Sequence, residues 1–439
     1  MSSSIRIPAV TASTTVALTA LVYCIRSRWL RIQQKRRANK IRDNLPQNLI
    51  EWRLPGTPEC EEIWEHLDSA LSDNGLKQWV HSGLQLLHTP DDGLRMASGY
   101  AYVTPTRETG TGPGTVEGLT CVQYINPIFR IARTTEGHDV AIRVVAVKDQ
   151  GHEQLRILKK VASGCLSLLS NNHSLPMLRD FEFEDITFGI FPLVGGCLDD
   201  AYGYWARNSV GDIIDMVMQA LEGLAFLHEQ GIAHRDADKS NFLVQWHPES
   251  LRTMTVARSR PRVYIIDFEV SVEFPPGSPK EACMSMGPPV GGTIPVSGWN
   301  RELPPEVQSG KPYSPFKLDV WQFGYSLITL RSTIPAIDQV FAELVIDDPV
   351  VRPSASEALT NESRAHRKFI ADVNGTILCL KMSRSISISL RSQCNNISVS
   401  RGPVFGAGFI SEFLHRLTAL QTLSHPFVNI FRSWDSTKL

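Results

Sequence analysis

HRDADKSN, residues 234–241, and YIIDFE, residues 264–269, decide how the chain is read. In the first run Asp236 stands five positions before Asn241, with His234 and Arg235 leading in. In the second, the apolar, β-branched stretch Val263–Ile266 ends on Asp267. A short apolar run of that kind reads as a buried strand, so two carboxylates and one amide are delivered from neighbouring turns. One carboxylate can orient a hydroxyl, while the amide and the second carboxylate can hold magnesium on nucleotide phosphates. Those are the parts that phosphoryl transfer requires.

Position by position, the two runs resemble the eukaryotic protein kinase family, and the resemblance can be followed from residue 120 to residue 360. It implies an α+β, two-lobed kinase-like fold, with a small β-rich N-lobe and a larger helical C-lobe. It also implies ATP and Mg2+ as cofactors and a protein substrate. On this resemblance Asp236 is the catalytic-loop base and Asn241 the magnesium-binding amide. Asp267 is the metal-binding acid of the DFG motif, and Phe268 packs beside it.

Length and composition agree with a two-lobed body carrying extra segments. The chain has 439 residues, a formal net charge of -1 and 42% hydrophobic residues, so no global charge draws it to nucleic acid. The eight cysteines (Cys24, Cys60, Cys121, Cys165, Cys197, Cys283, Cys379, Cys394) show no CxxC spacing and read as reduced thiols of a cytosolic body. The expected divisions are 1–43, a candidate membrane anchor with a basic flank; 44–116, a helical extension and linker; 117–192, the N-lobe; 193–360, the C-lobe; and 361–439, an insertion and a C-terminal helix.

Residues 7–25 carry no charge and are long enough to cross a bilayer as a helix. Arg26, Arg28, Arg31, Lys35, Arg36, Arg37, Lys40 and Arg42 follow, with no acid before Asp43. Positive charge of this kind stays inside, which predicts a single-pass anchor with the kinase-like body in the cytosol. The Arg-rich, acid-poor start also fits mitochondrial targeting. From Glu51 to Leu87 the apolar residues Ile63, Trp64, Leu67, Leu71, Trp79, Leu84 and Leu86 fall at helical spacing, which predicts a helical extension.

In the small lobe the expected first strands are 120–124 and 128–134, joined at Ile125-Asn126-Pro127 without glycine. The glycines of ETGTGPGT (Gly110, Gly112, Gly114) precede both and read as linker, so a glycine-rich lid over the phosphates is not expected. VAIRVVAV, 140–147, resembles the family's VAIK strand with Arg143 as the phosphate-contacting cation. In the helix that follows, 150–163, the family's acid position falls on Gln154, and Glu153, one residue away, is expected to brace Arg143. Residues 185–202 run into the hinge, where the Leu193 and Val194 backbone would meet adenine. Residues 212–230 read as the long buried helix before the loop, with His228 a packing or capping residue.

The large lobe continues the resemblance. Gly292-Thr293 is similar to the substrate-docking strand, LPPE (303–306) to the APE motif, and KLDVWQFGYSL (317–327) to the DVWSFG helix. Asp319 is expected to hold the catalytic-loop backbone, Glu306 to pair with Arg352, and Arg235 to pin a phosphate or acid of the activation segment. Asp238 stands where Ser/Thr kinases place Lys, and Glu269 where the family places Gly. A protein Ser/Thr kinase is the leading expectation. A membrane-tethered pseudokinase and a small-molecule phosphotransferase of the aminoglycoside or choline type are the alternatives. The low-complexity run 383–401 and the stripe 413–428 read as an insertion followed by the closing helix.

Overall fold

Every residue of the strand Asp139–Val147 is buried, the state a nearly continuous apolar run dictates when both faces of a sheet are covered. It is the centre of a five-stranded antiparallel sheet in the order Leu76–Gln78, Phe129–Thr134, Asp139–Val147, Ile186–Pro192, Arg179–Phe183. The computed structural model describes residues 6–54, 57–82, 86–91, 93, 103–105, 116–118, 121–123, 127–199, 210–245, 261–294, 299–330 and 335–363. Side chains at 6–17, 57–58, 103–123 and 210–212 lie outside that description, as do the expected insertion and closing helix beyond residue 363.

The register sets the two faces of the sheet. Arg143 lies opposite Gly189, and Val144 opposite Phe188. Adjacent residues of a strand point to opposite sides, so the Arg143 face and the Phe188 face are distinct. Phe188 stacks on Phe181 at 4.9 Å and meets Trp52 and Trp64 at 6.3 and 6.2 Å. Both tryptophans are fully buried. Each such aromatic pair adds about 0.5–1.5 kcal/mol beyond area burial, so this cluster binds the preceding helices to the sheet.

Those helices are α1 (Arg6–Asp43), α2 (Leu49–Arg53) and α3 (Thr57–Asp73). Ile63, Trp64, Leu67 and Leu71 of α3 are buried, as their spacing predicts. The helix stops at Asp73, and Gly75, with φ of 69°, turns the chain into the strand Leu76–Gln78. The expected helix to Leu87 is therefore cut short. Along α1 the described side chains from Leu18 onward are mostly exposed, and only the C-terminal end is anchored. There Arg42 forms a bidentate pair with Asp185 and donates to the Leu45 and Pro46 carbonyls. Among the described residues no helix is long and apolar enough to cross a membrane, and residues 7–17 of the expected span fall outside the described side chains.

The small-lobe strand assignment also differs. Phe129–Thr134 pairs with Leu76–Gln78, whereas Cys121–Gln123 pairs with Leu86–His88 in a separate three-stranded sheet. The three-residue edge strand LKQ is too short to carry a period, and its partner lies far along the chain. The glycines of ETGTGPGT thus fall between the first two strands of the main sheet, not before both. Residues 106–115 themselves lie outside the described ones.

In the large lobe the helix Val210–Glu229 packs on the strand Arg262–Ile265. Gly223 permits the approach: a Cβ there would sit 2.7 Å from Ile265 Cδ1 and from His173 Cβ. The strand pairs Ile232–Ala233 with Val272–Glu273 and Phe242–Gln245 with Arg262–Ile265 bracket the stretch carrying Asp236 and Asn241. Helices Pro305–Gln308, Pro315–Ser326 and Pro335–Leu344 complete a two-lobed α+β body.

Candidate active site

One face of the helix Pro315–Ser326 carries Asp319, Gln322 and Ser326, spaced i, i+3, i+7 in a largely apolar sequence. Asp319 Oδ2 accepts from the His234 N–H and from His228 Nε2, both at 2.8 Å, and Oδ1 accepts from the Arg235 N–H at 2.6 Å. Gln322 Oε1 accepts from the Ala237 N–H at 3.2 Å, and its Nε2 donates to the Arg235 carbonyl at 2.9 Å. Ser326 Oγ accepts from the Lys239 N–H at 3.0 Å. Sequence reasoning found Asp319 but missed Gln322 and Ser326. Their polar spacing on a buried helix was the available signal.

These bonds hold a loop that resists its own backbone preference. Arg235 has φ of 65° and Asp267 φ of 68°, left-handed values at non-glycine positions. Each costs about 1–3 kcal/mol and persists only where the surroundings over-determine it. His234 supplies further restraint: its Nε2 donates to the Ile266 carbonyl at 2.8 Å, and its ring meets Phe268 edge-on at 5.2 Å.

Asp236, Asn241 and Asp267 come together here. Asn241 Nδ2 donates to Asp236 Oδ2 and to the Asp236 carbonyl, each at 2.8 Å. The Asn241 backbone carbonyl accepts from the Ile266 N–H at 3.0 Å, which sets Asn241 beside the residue that precedes Asp267. Burial holds the Asp236 carboxyl above its ordinary range; Arg301 opposes that, while the Asp267 charge adds to it. Asn241 Oδ1 is buried and has no hydrogen-bond partner. An oxygen acceptor of this kind, next to a carboxylate, fits the hard-oxygen chemistry of magnesium. Among the described residues no group of three or more His, Cys, Asp and Glu side chains could hold a metal; a magnesium held by Asn241 and Asp267 would take its other ligands from water and phosphate oxygens.

Arg143 does not meet Glu153, which corrects the expected brace. Glu153 is 55% exposed and pairs with Arg156 at 3.6 Å on the surface of the helix α4 (His152–Val161). One residue is 100° of helix rotation, and it is Gln154 that turns inward to line the cleft with Arg143. Arg143 Nη2 instead donates to Asp267 Oδ1 at 2.7 Å and lies 3.5 Å from Glu269 Oε2.

Glu269 is held away from open solvent. Its Oε2 accepts from the Thr293 N–H and Oγ–H at 3.1 and 2.6 Å. Arg53, from α2, donates to Glu269 Oε1 at 3.2 Å and to Thr293 Oγ1 at 2.6 Å. Burial and the Asp267 charge push the Glu269 carboxyl up, against the pull of Arg143 and Arg53. Arg235, expected on a phosphate or acid, donates to the Val270 and Pro288 carbonyls at 3.3 and 3.5 Å. The Glu306–Arg352 pair forms as expected, at 2.6 and 3.3 Å, around a fully buried Arg352.

A narrow cleft of about 40 Å³ opens on this site, lined by Ala141, Arg143, Leu193, Val194, Leu243 and Asp267 among others. Its walls are apolar except at the end that carries Arg143 and Asp267.

Over residues 128–368, more than half of its length, the chain matches the protein kinase domain family. Calcium/calmodulin-dependent protein kinase type 1 of Macrobrachium nipponense is 26% identical over 229 residues, covering 49% of this chain and 57% of that protein. Serine/threonine-protein kinase ppk8 of Schizosaccharomyces pombe is 29% identical over 172 residues, covering 37% and 29%. Serine/threonine-protein kinase SKM1 of Saccharomyces cerevisiae is 27% identical over 203 residues, covering 44% and 27%. The chain thus spans between 27% and 57% of the length of these relatives. A solved structure of the Rad53 kinase domain and SCD2 in complex with AMPPNP is 17% identical, with a TM-score of 0.35, over 53% of this chain and 85% of that one. The chain belongs to the protein kinase domain family.

Proposed function

We propose that the chain is an ATP- and Mg2+-dependent kinase that phosphorylates Ser or Thr hydroxyls of a protein substrate. The observation that carries the proposal is the contact of Asp236 with Asn241, whose backbone carbonyl accepts from Ile266, the neighbour of the cleft-lining Asp267. Bound Mg-ATP would supply the phosphoryl group and the metal charge. Asn241 and Asp267 would hold the metal, Arg143 would face the phosphates, and the Leu193–Val194 hinge would flank the base. Asp236 would accept the substrate hydroxyl proton, with the new oxygen–phosphorus bond replacing the bond to ADP. The names of the Ser/Thr kinase relatives support the substrate class.

The test is transfer of labelled phosphate from ATP by the purified full chain, beside D236N. Wild-type transfer that D236N loses supports the proposal. Equal transfer by both contradicts it.

A second reading, a pseudokinase that binds partners without catalysis, draws on one observation: Arg143 already occupies an oxygen of Asp267. Mg-ATP binding without any transfer would favour it. Localisation is proposed on the same terms, as a membrane tether through residues 7–25 with the basic flank on the cytosolic side. The exposed Tyr23, Ile25 and Trp29 beside that flank support it. Loss of membrane co-sedimentation on deleting residues 1–25 is the expected result, and unchanged partitioning would refute it.

A further inference from the structure

The cation that meets Asp236 does not come from the catalytic loop. Position 238 is an aspartate, Lys239 is drawn to Asp199 at 2.9 Å, and Arg235 faces backbone carbonyls. Arg301, just ahead of the Pro305–Gln308 helix, reaches back instead. Its Nε lies 2.9 Å from Asp236 Oδ1 and its Nη1 2.7 Å from Asp238 Oδ2. Both Nη1 and Nη2 approach Ser240 Oγ, at 3.5 and 3.4 Å. Asp238 is itself fixed, because its Oδ1 accepts from the Ser240 N–H at 2.9 Å and the Ser240 hydroxyl at 2.6 Å.

This geometry has a mechanical sense. Asp236 and Asp238 are like charges in one short loop and would repel each other without a bridge. A planar guanidinium spans two carboxylates at once, which a point ammonium cannot do. Asn241 hydrogen-bonds Oδ2, and the Arg301 guanidinium ion-pairs with Oδ1, an oxygen without a hydrogen-bond partner, so charge attraction restrains that side of the Asp236 carboxylate. Each carboxylate oxygen has two lone pairs, so Oδ1 can still accept a substrate hydroxyl.

We propose that Arg301 is a positioning residue, which fixes the Asp236 carboxylate toward the incoming hydroxyl, and that Asp238 is the anchor that holds Arg301 in place. The inference rests on the phosphotransferase reading above and adds residues to that same site.

Steady-state kinetics of the full chain, wild type, R301A, R301K, D238A and R301A/D238A, provide the test, with Mg-ADP affinity by calorimetry as the check that each variant keeps its cleft. R301A should lower kcat about 100-fold, the scale of a misplaced catalytic group, while KM for ATP stays within about twofold. R301K should recover part of that loss. Adding D238A to R301A should cost nothing further, because the anchor then has nothing to hold. Should R301A not fold, R301K and D238A still decide, each expected to lower kcat with Mg-ADP affinity kept. Wild-type kcat in R301A or in both of those variants, or additive losses in the double variant, would overturn the inference. So would an R301A faster than wild type, which would make Arg301 an occluding group. A wild type without any transfer removes the phosphotransferase reading itself, a result distinct from the others.

Discussion

The two lobes hold their charged residues in different ways. In the large lobe the partners follow from local pattern: one helix face carries Asp319, Gln322 and Ser326 to the loop, and Glu306 meets Arg352. In the small lobe the strand cation Arg143 bypasses the neighbouring helix, and its anions are Asp267 and Glu269 across the cleft. The arginine that shares Glu269 comes from α2, far earlier in the chain. The large lobe is a platform in which one helix face holds the catalytic loop across 84 to 87 positions of sequence. The small lobe is tied to it through a long-range charge network.

The comparison can be broken most severely at the platform. D236N should cut phosphate transfer by about 10³-fold, within the range for loss of a general base, with Mg-ADP affinity retained. A mild loss would mean that the platform does not position the base. Next in size is R352A, which strands Glu306 in a largely buried site. Loss of one partner of a buried pair costs about 3–5 kcal/mol, to be read from urea unfolding. If the variant unfolds at the wild-type midpoint, the pair is not structural.

Predictions for the small lobe are smaller and sharpen the contrast. R53A removes hydrogen bonds to Glu269 and Thr293 and should cost about 1.5–3 kcal/mol, the scale of bonds to charged groups. Hydrogen exchange should also quicken around Thr293, far from residue 53 in sequence. No change there would mean that the network does not couple the lobes. Smallest of all is E153A, expected to shift stability by less than about 0.5 kcal/mol because its side chain is half exposed. A large loss of stability or of nucleotide affinity would restore Glu153 as the brace.

The same contrast explains what was legible beforehand. HRDADKSN, the Asp267 strand, Asp319 and the Glu306–Arg352 pair could be read because each depends on spacing within a short run or on a family pattern. Gln322 and Ser326 were readable in principle, since polar residues at i, i+3, i+7 on a buried helix need partners. The strand Leu76–Gln78 was not, because three residues carry no period and the pairing is set by a strand far away. Glu153 and Gln154 differ by one residue, and only packing decides which turns inward. Arg301 lies in an unremarkable run, and nothing local announces that its guanidinium reaches Asp236 and Asp238.

If Asn241 and Asp267 form one magnesium site at the mouth of the cleft, ATP affinity must depend on the metal through Asp267. Calorimetric titration of the full chain with ATP, with and without Mg2+, tests it most directly when D267N is run beside the wild type. Mg2+ should tighten ATP binding by about tenfold or more in the wild type, close to 1.4 kcal/mol, and should have no such effect in D267N. Equal affinity with and without Mg2+ in the wild type, or the same tightening in D267N, would contradict it.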